Sequence, residues 1–164
     1  MARDAIARQY DVDKNRVLLL CETDKGDYRP GTITFFPKKG KSLDLRQMVE
    51  SITATRLSGG TSMSMNWLEI TATGAVVLDD KTVLLKVSGT TQQFLLKEVD
   101  PKGGAKSALQ RLRAAVDSGA KVVSVTGRVD GWSGRFPLVL RALAKRPPDE
   151  PVVLFVTDFE TTQK

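Results

Sequence analysis

The chain contains no histidine and a single cysteine among its 164 residues. Without histidine it lacks the usual general base near neutral pH, the Ser-His-Asp and Cys-His arrangements and the commonest transition-metal ligand. With Cys21 alone, a Cys/His zinc or copper site and an internal disulfide framework within one chain are also excluded. Because Cys21 follows an apolar run, we interpret it as a buried small hydrophobic residue. We expect a protein that is not an enzyme and has no metal ion and no cofactor.

Long apolar runs are missing as well, and stretches such as residues 17–21 and 137–140 hold only five and four residues. A membrane-spanning helix needs about 20 apolar residues, so no transmembrane segment is predicted. Residues 1–8, MARDAIAR, lack the charged-then-apolar layout of a signal peptide. We expect a protein that is either cytoplasmic or exported and given in its mature form, and the composition leaves both open.

Aromatic residues make up only 6% of the chain, which bears on nucleic-acid binding. Binding of single strands needs basic residues along the path of the backbone and exposed aromatic rings on which bases stack. Most phenylalanines, Phe94 and Phe155 among them, fall in strand patterns and are interpreted as core residues. Trp132 is the exception, since it lies at a predicted strand end between Arg128 and Arg135. These three residues are therefore predicted to form a partner-docking or base-stacking site.

The whole chain has a formal net charge of +6, and its positive charge is concentrated in one segment. Residues 97–146 hold eleven Lys or Arg and four Asp or Glu, whereas residues 147–164 hold one and four. A basic zone can meet phosphates, although a mixed solvated surface has the same composition. The basic zone 97–146 is the reason to keep single-stranded nucleic-acid binding as an alternative function.

The second half of the chain alternates as strands do and is interrupted once by a helical pattern. Leu109, Leu112 and Val116 give that helix an apolar face, and Gly119 suits its C-terminal end. The predicted elements are strands over residues 70–78, 82–87 and 92–99, a helix over 105–118, and strands over 121–132 and 152–159. Three strands, a helix and further strands are the element order of an OB-type barrel, a platform that binds oligonucleotides, oligosaccharides or protein segments.

The first half predicts a β-β-α-β unit. Strands over residues 16–21 and 31–36 are expected to pair across a polar loop. The next apolar positions fall at i, i+3, i+4 and i+7, as in an amphipathic helix, and Asp44 with Gln47 can form a capping box before it. These apolar positions are Leu45, Met48, Val49 and Ile52. Extended structure over residues 66–70 is expected to continue into the barrel.

Two loops carry residues that could bind ions. Asp79 and Asp80 could hold a calcium or magnesium ion, but two aspartates before Lys81 are typical of a hairpin turn, and we expect no metal there. Lys102 and Lys106 flank two glycines just before the helix, where backbone N–H groups and the helix dipole favour an anion. An acidic or phosphate contact at these two lysines and a simple loop entering a helix are both consistent with this pattern.

The segment 135–146 fits two structures. Its apolar residues match a helix with Pro137 in the first turn, and they also alternate as a strand would. Composition favours the helix, whereas OB topology favours the strand. The sequence leaves this choice open.

The segment 31–52, GTITFFPKKGKSLDLRQMVESI, together with residues 66–72, NWLEITA, resembles the later strand-helix-strand part of bacterial heavy-metal-associated, ferredoxin-like domains. The Cys-x-x-Cys metal loop of that family is missing here. The resemblance therefore implies a degenerate, metal-free ferredoxin-like half. By element order alone, the second half resembles bacterial OB-type domains.

The sequence as a whole predicts an α+β protein in two parts. Residues 1–70 form a degenerate ferredoxin-like β-β-α-β unit, continuous with an OB-like β-barrel over residues 71–164. The predicted function is a non-enzymatic bacterial binding or accessory module that docks a protein partner through the barrel half. Single-stranded nucleic-acid binding is the alternative. The predicted site residues are Lys102, Lys106, Arg128, Trp132 and Arg135.

Overall fold

The protein has two compact units, Met1–Ser64 and Met65–Lys164, in a computed structural model. The sequence placed the division at residue 70. The residues that the structure describes are 18–20, 23–24, 27–28, 32–34, 36–42, 44, 48, 54, 56, 59–60, 68–79, 81–99, 106–129 and 151–162.

Four short strands are described in the first unit. Strand β1 (Leu18–Leu20) pairs antiparallel with β4 (Thr32–Thr34), which is the pairing predicted for residues 16–21 and 31–36. Between them β2 (Thr23–Asp24) and β3 (Asp27–Tyr28) form a second antiparallel pair. The sequence predicted a polar loop between β1 and β4, so this strand pair was missed. The two residues between β2 and β3 include a glycine, which is typical of a tight hairpin.

Part of the predicted helix of the first unit is described. Met48 and Ala54 are helical, and the Met48 N–H donates to the Asp44 carbonyl over 3.0 Å. This bond is the one that an N-cap residue accepts, and Met48 is buried. The ferredoxin-like arrangement of this unit stays a prediction.

The second unit is a closed five-stranded β-barrel. Its strands are β5 (Glu69–Leu78), β6 (Val83–Val87), β7 (Gln93–Lys97), β8 (Val123–Val129) and β9 (Val152–Thr161). They are joined in the order β5-β6-β7-β9-β8, and β8 closes the barrel by pairing with β5. The β7–β9 pair is parallel, while the other four pairs are antiparallel. The mixed α+β class and the five-stranded barrel, the strand number of OB-like barrels, agree with the prediction.

The barrel core follows from period-two alternation, which sends every second side chain inward. In β8, Val123, Val125 and Val129 are buried while Arg128 is exposed. The inward positions of the other strands carry aliphatic residues and one phenylalanine, which pack the interior as side chains do in small barrels. These core residues include Ile70, Ala72, Val83, Leu85, Phe94, Leu96, Leu154 and Val156.

Two buried glycines mark the sharpest backbone approaches. Gly74 pairs with both Val87 of β6 and Val123 of β8, so β5 changes its partner strand there. Gly127 follows a β-bulge between β8 and β9, and a Cβ at this position would lie 2.5 Å from the Phe155 carbonyl oxygen. Glycine inside a strand commonly marks such a bend or close approach.

One helix, α1 (Ala108–Asp117), is described in this unit, between β7 and β8 and inside the predicted range 105–118. Ala108, Leu109 and Leu112 are its buried residues. At its C-terminal end Gly119 has a φ of 103° and donates to the Val116 carbonyl over 2.9 Å. With the Ala120 N–H donating to the Ala115 carbonyl, this is a Schellman motif.

Two sequence expectations concern the remaining segments. The choice between helix and strand for residues 135–146 lies outside the described residues. Within the described ranges, no helix is both long enough and apolar enough to cross a membrane.

Candidate binding surface of the barrel

Of the five predicted site residues, two are described. Arg128 is exposed on the outer side of β8, where its register partners are Glu69 on β5 and Phe155 on β9. Lys106 is exposed just before α1. The other three, Lys102, Trp132 and Arg135, lie outside the described residues, so their placement stays a prediction.

The N-terminus of α1 is capped by its own side chains. Ser107 Oγ accepts from the Gln110 N–H over 3.1 Å, and Gln110 Oε1 accepts from the Ser107 N–H over 3.3 Å. This reciprocal capping box satisfies two backbone donors at the helix start. An anion at Lys106 would therefore find fewer open N–H groups than the sequence suggested.

Strands β6 and β7 present a continuous outer surface, which we name the β6–β7 face. On β6 the outward residues are Leu84 and Lys86, because Val83 and Leu85 between them are buried. The face consists of Leu84 and Lys86 on β6, Gln93, Leu95 and Lys97 on β7, and Ala75 and Val77 on β5.

The centre of this face is a row of aliphatic side chains. Val77 lies opposite Leu84, Leu84 lies opposite Leu95, and Leu95 lies beside Val153 of β9. Val77 is 39% exposed and Leu84 and Leu95 are partly exposed, whereas Val153 is only 4% exposed. The row is therefore covered at its β9 end and open toward β5.

Lysines border the row on both sides. Lys86 lies two residues beyond Leu84 on β6, and Lys97 lies two residues beyond Leu95 on β7. Because these strands are antiparallel, the two lysines lie on opposite sides of the row. Residues 81–97 contain three lysines and no acidic residue, so the face combines an apolar centre with a positive border.

A second outer row crosses β7, β9 and β8. Phe155 of β9 lies beside Lys97 of β7, and on its other side it lies opposite Arg128 of β8. Phe155 is partly exposed, while Leu154 and Val156 on either side of it are buried. The interpretation of Phe155 as a core residue was therefore wrong, although it was right for the buried Phe94.

Hydroxyl groups pair with one another on the outer side of β5 and β8. The Oγ1 atoms of Thr71 and Thr126 are 2.8 Å apart, and Thr73 Oγ1 lies 3.0 Å from Ser124 Oγ. Thr157 Oγ1 also donates to the Thr126 carbonyl over 3.2 Å. Since these groups bond across the strands, this surface is polar and partly self-satisfied, unlike the β6–β7 face.

Ion-binding groups do not cluster in the described part of the chain, where no three His, Cys, Asp or Glu residues stand together as metal ligands. Asp79 and Thr82 instead exchange backbone hydrogen bonds of 2.9 and 3.2 Å at the end of the β5–β6 hairpin. Asp79 thus occupies the hairpin turn that the sequence predicted.

Sequence reasoning missed Leu84, Lys86 and Leu95 as surface residues. The runs VLLKV and QFLLK are apolar at consecutive positions, so alternation alone does not tell which leucine points inward. The available signal was the lysine that follows the two leucines in each run, because a charged side chain at an outward position fixes the phase of the strand. Counting back from Lys86 or Lys97 in steps of two reaches Leu84 and Leu95.

Comparisons with known proteins add no relative to this description. The chain matches no protein-family model, no curated protein and no solved structure.

Proposed function

We propose that this protein is a non-enzymatic binding module that docks a protein partner through an OB-like barrel. The OB-like assignment is supported by the strand order β5-β6-β7-β9-β8, with a helix between the third and fourth strands. In OB folds the face of the second and third strands is a ligand-binding surface. Here those strands are β6 and β7, so the proposed docking surface is the β6–β7 face.

The observation that carries the proposal is the open part of the aliphatic row. Val77, Leu84 and Leu95 lie side by side on three neighbouring strands and keep part of their surface exposed. Contiguous exposed apolar surface with a polar border is typical of protein interaction sites. The seven described residues that make up the face include no aromatic ring, and Phe94, the aromatic residue of β7, is buried.

Position-specific photo-crosslinking in extracts of the source cells tests the proposal. A benzophenone amino acid replaces Gln93, which is exposed on the β6–β7 face, and in a matched control replaces Arg113, which is exposed on α1. We expect discrete protein adducts from position 93 that the additional substitution Leu84→Asp removes. Circular dichroism checks that this variant remains folded. The same adducts from both positions, or adducts that survive Leu84→Asp, would contradict docking at this face.

Single-stranded nucleic-acid binding is the second candidate, and the row of Lys97, Phe155 and Arg128 favours it. A partly exposed ring between two basic register partners combines the stacking and charge that single strands need. One stacked base contributes about 1–3 kcal/mol, so this row alone supports modest affinity.

Fluorescence anisotropy with labelled oligo-dT and a random RNA tests this second candidate at low and moderate salt. If it is correct, affinity falls steeply with salt and falls further in Phe155→Leu and Arg128→Ala, as well as in Trp132→Ala at the site predicted from sequence. Arg113→Ala, at an exposed arginine on α1, serves as the control. The candidate fails if no binding occurs at low salt, or if Arg113→Ala weakens binding as much as Arg128→Ala.

A further inference from the structure

We infer that the partner of the β6–β7 face is a short extended peptide segment with apolar side chains at alternate positions and acidic side chains between them. This inference rests on the proposed function, because it names the chemistry of what docks at that face. Three features of the face carry it: the length of the aliphatic row, the positions of the two lysines and the absence of acidic residues from β6 and β7.

The length of the row sets the size of the segment. Neighbouring strands lie about 4.8 Å apart, so the Cα positions of Val77 and Leu95, two strands apart, are roughly 10 Å from each other. An extended chain rises about 3.3 Å per residue and repeats its side-chain direction every second residue, at roughly 7 Å. The row thus accommodates two apolar side chains at i and i+2 from a segment crossing the strands.

The lysines set the charge of the segment. Lys86 and Lys97 each lie two residues from the row, which is roughly 7 Å along a strand. The carboxylates between two docked apolar side chains point away from the face, and the flexible four-carbon stems of Lys86 and Lys97 allow their ammonium groups to extend upward beside the segment toward them. Complementary charge of this kind directs encounter and selects against partners of the wrong sign.

The two sides of the row are not equivalent, which sharpens the inference. Exposed Asp79 directly follows β5 on the Lys97 side, and Glu98 follows Lys97 directly. On the other side Lys86 lies between Ala75 and Gln93, and neither carries a charge. Lys86 is therefore expected to contribute more to the selection of acidic segments than Lys97.

Fluorescence anisotropy with the full chain and three labelled peptides of about six residues tests the inference. The first alternates aspartate with leucine, the second alternates lysine with leucine, and the third alternates aspartate with serine. We expect the aspartate-leucine peptide to bind at least about fivefold more tightly than either of the others at low salt. The preference over the lysine-leucine peptide should shrink as salt screens the charges.

Charge reversal provides the matched variants. Lys86→Glu is expected to weaken binding of the aspartate-leucine peptide by about fivefold and to improve binding of the lysine-leucine peptide. Lys97→Glu should act in the same direction with a smaller change. Lys121→Glu reverses an exposed lysine beyond the face, just before β8, and is expected to leave both affinities unchanged.

The outcomes separate the inference from the proposed function. Equal binding of all three peptides, no binding of any, or the same loss in Lys121→Glu as in Lys86→Glu overturns the inference. If Leu84-dependent crosslinks from position 93 persist in that case, docking at the face stands and only the partner chemistry is wrong. Oligo-dT binding that Lys86→Glu abolishes, without peptide binding, overturns the inference in favour of nucleic acid.

Discussion

Gly74 lies so close to the backbone of Lys86 that a Cβ atom added to it would be 2.0 Å from the Lys86 carbonyl oxygen. The neighbouring carbonyl carbon would lie 2.8 Å away, and real Cβ atoms essentially never approach within 3.0 Å. The obstruction is backbone rather than the end of a flexible side chain, so it cannot move aside cheaply. The bend at which β5 changes from pairing with β8 to pairing with β6 therefore requires a glycine.

Gly74→Ala is accordingly expected to lower the free energy of unfolding by about 3 kcal/mol, near the upper end of ordinary single substitutions. Urea denaturation measures the loss. Gly89→Ala is the control, since Gly89 has open space around it but a φ of +75°, and it should cost about 1 kcal/mol. Equal losses in the two variants would mean that the close approach at Gly74 is not decisive.

Leu84 and Leu85 are consecutive, yet they should respond differently to truncation. Leu85 is completely buried, so Leu85→Ala is expected to cost about 3 kcal/mol through lost burial and a residual cavity. Leu84 points to the outer face and keeps part of its surface exposed, so Leu84→Ala should cost about 1 kcal/mol or less. Chemical denaturation of both variants checks the phase of β6. The reverse order would place Leu84 in the core and remove the basis of the β6–β7 face.

The capping box of α1 should be measurable as a coupled pair. Ser107→Ala removes the acceptor for the Gln110 N–H and is expected to destabilise the protein by about 1 kcal/mol. Gln110→Ala in the Ser107→Ala background should then cost less than it does alone, because the two bonds are reciprocal. Ser118→Ala, at the exposed C-cap, is the control and should change stability by less than about 0.5 kcal/mol. Additive losses at positions 107 and 110 would argue against a coupled box.

The Arg111 guanidinium carbon lies 5.8 Å from the centre of the Phe159 ring, which links α1 to β9. Arg111→Ala is expected to cost about 0.5–1 kcal/mol, as cation–π pairs do at accessible sites. The loss should disappear when Phe159 is already leucine, as a double-mutant cycle can show. Arg113→Ala on the same helix gives the comparison, and an equal effect there would mean that general charge, rather than the ring, is responsible.

The barrel could be predicted to the level of element order because its local signals are strong. Alternation located β5 and β8, and Gly119 ended the helix as expected with a positive φ. The parallel pairing of β7 with β9 could not be predicted. The two strands are far apart in the chain, and a strand's sequence pattern does not identify the strand with which it pairs. The bulge before Gly127 shifts the register between β8 and β9. It could not be predicted either, because it involves a close approach of two backbones, and the pattern of apolar and polar residues does not indicate such an approach.

The candidate surface was predicted only in part. Arg128 was expected inside the strand over residues 121–132, with Trp132 at its end, and lies exposed near the end of β8. The partial exposure of Phe155 on the outer side of β9 was missed. A phenylalanine between aliphatic residues is interpreted as a core residue when it is not known which residues of the strand point inward. Its position beside Lys97 depends on the β7–β9 pairing, so this neighbourhood arises from topology rather than from spacing along the chain.

The position of β9 between β7 and β8 has a consequence for synthesis on the ribosome. Before residues 151–162 have been translated, β8, β5, β6 and β7 can pair only as an open four-stranded sheet with free edges at β7 and β8. Free edges expose unpaired backbone groups that can recruit other chains. A nascent chain that stalls before β9 thus exposes two unpaired strand edges that are prone to aggregation. Pairing of β9, the last strand to be synthesised, covers both edges.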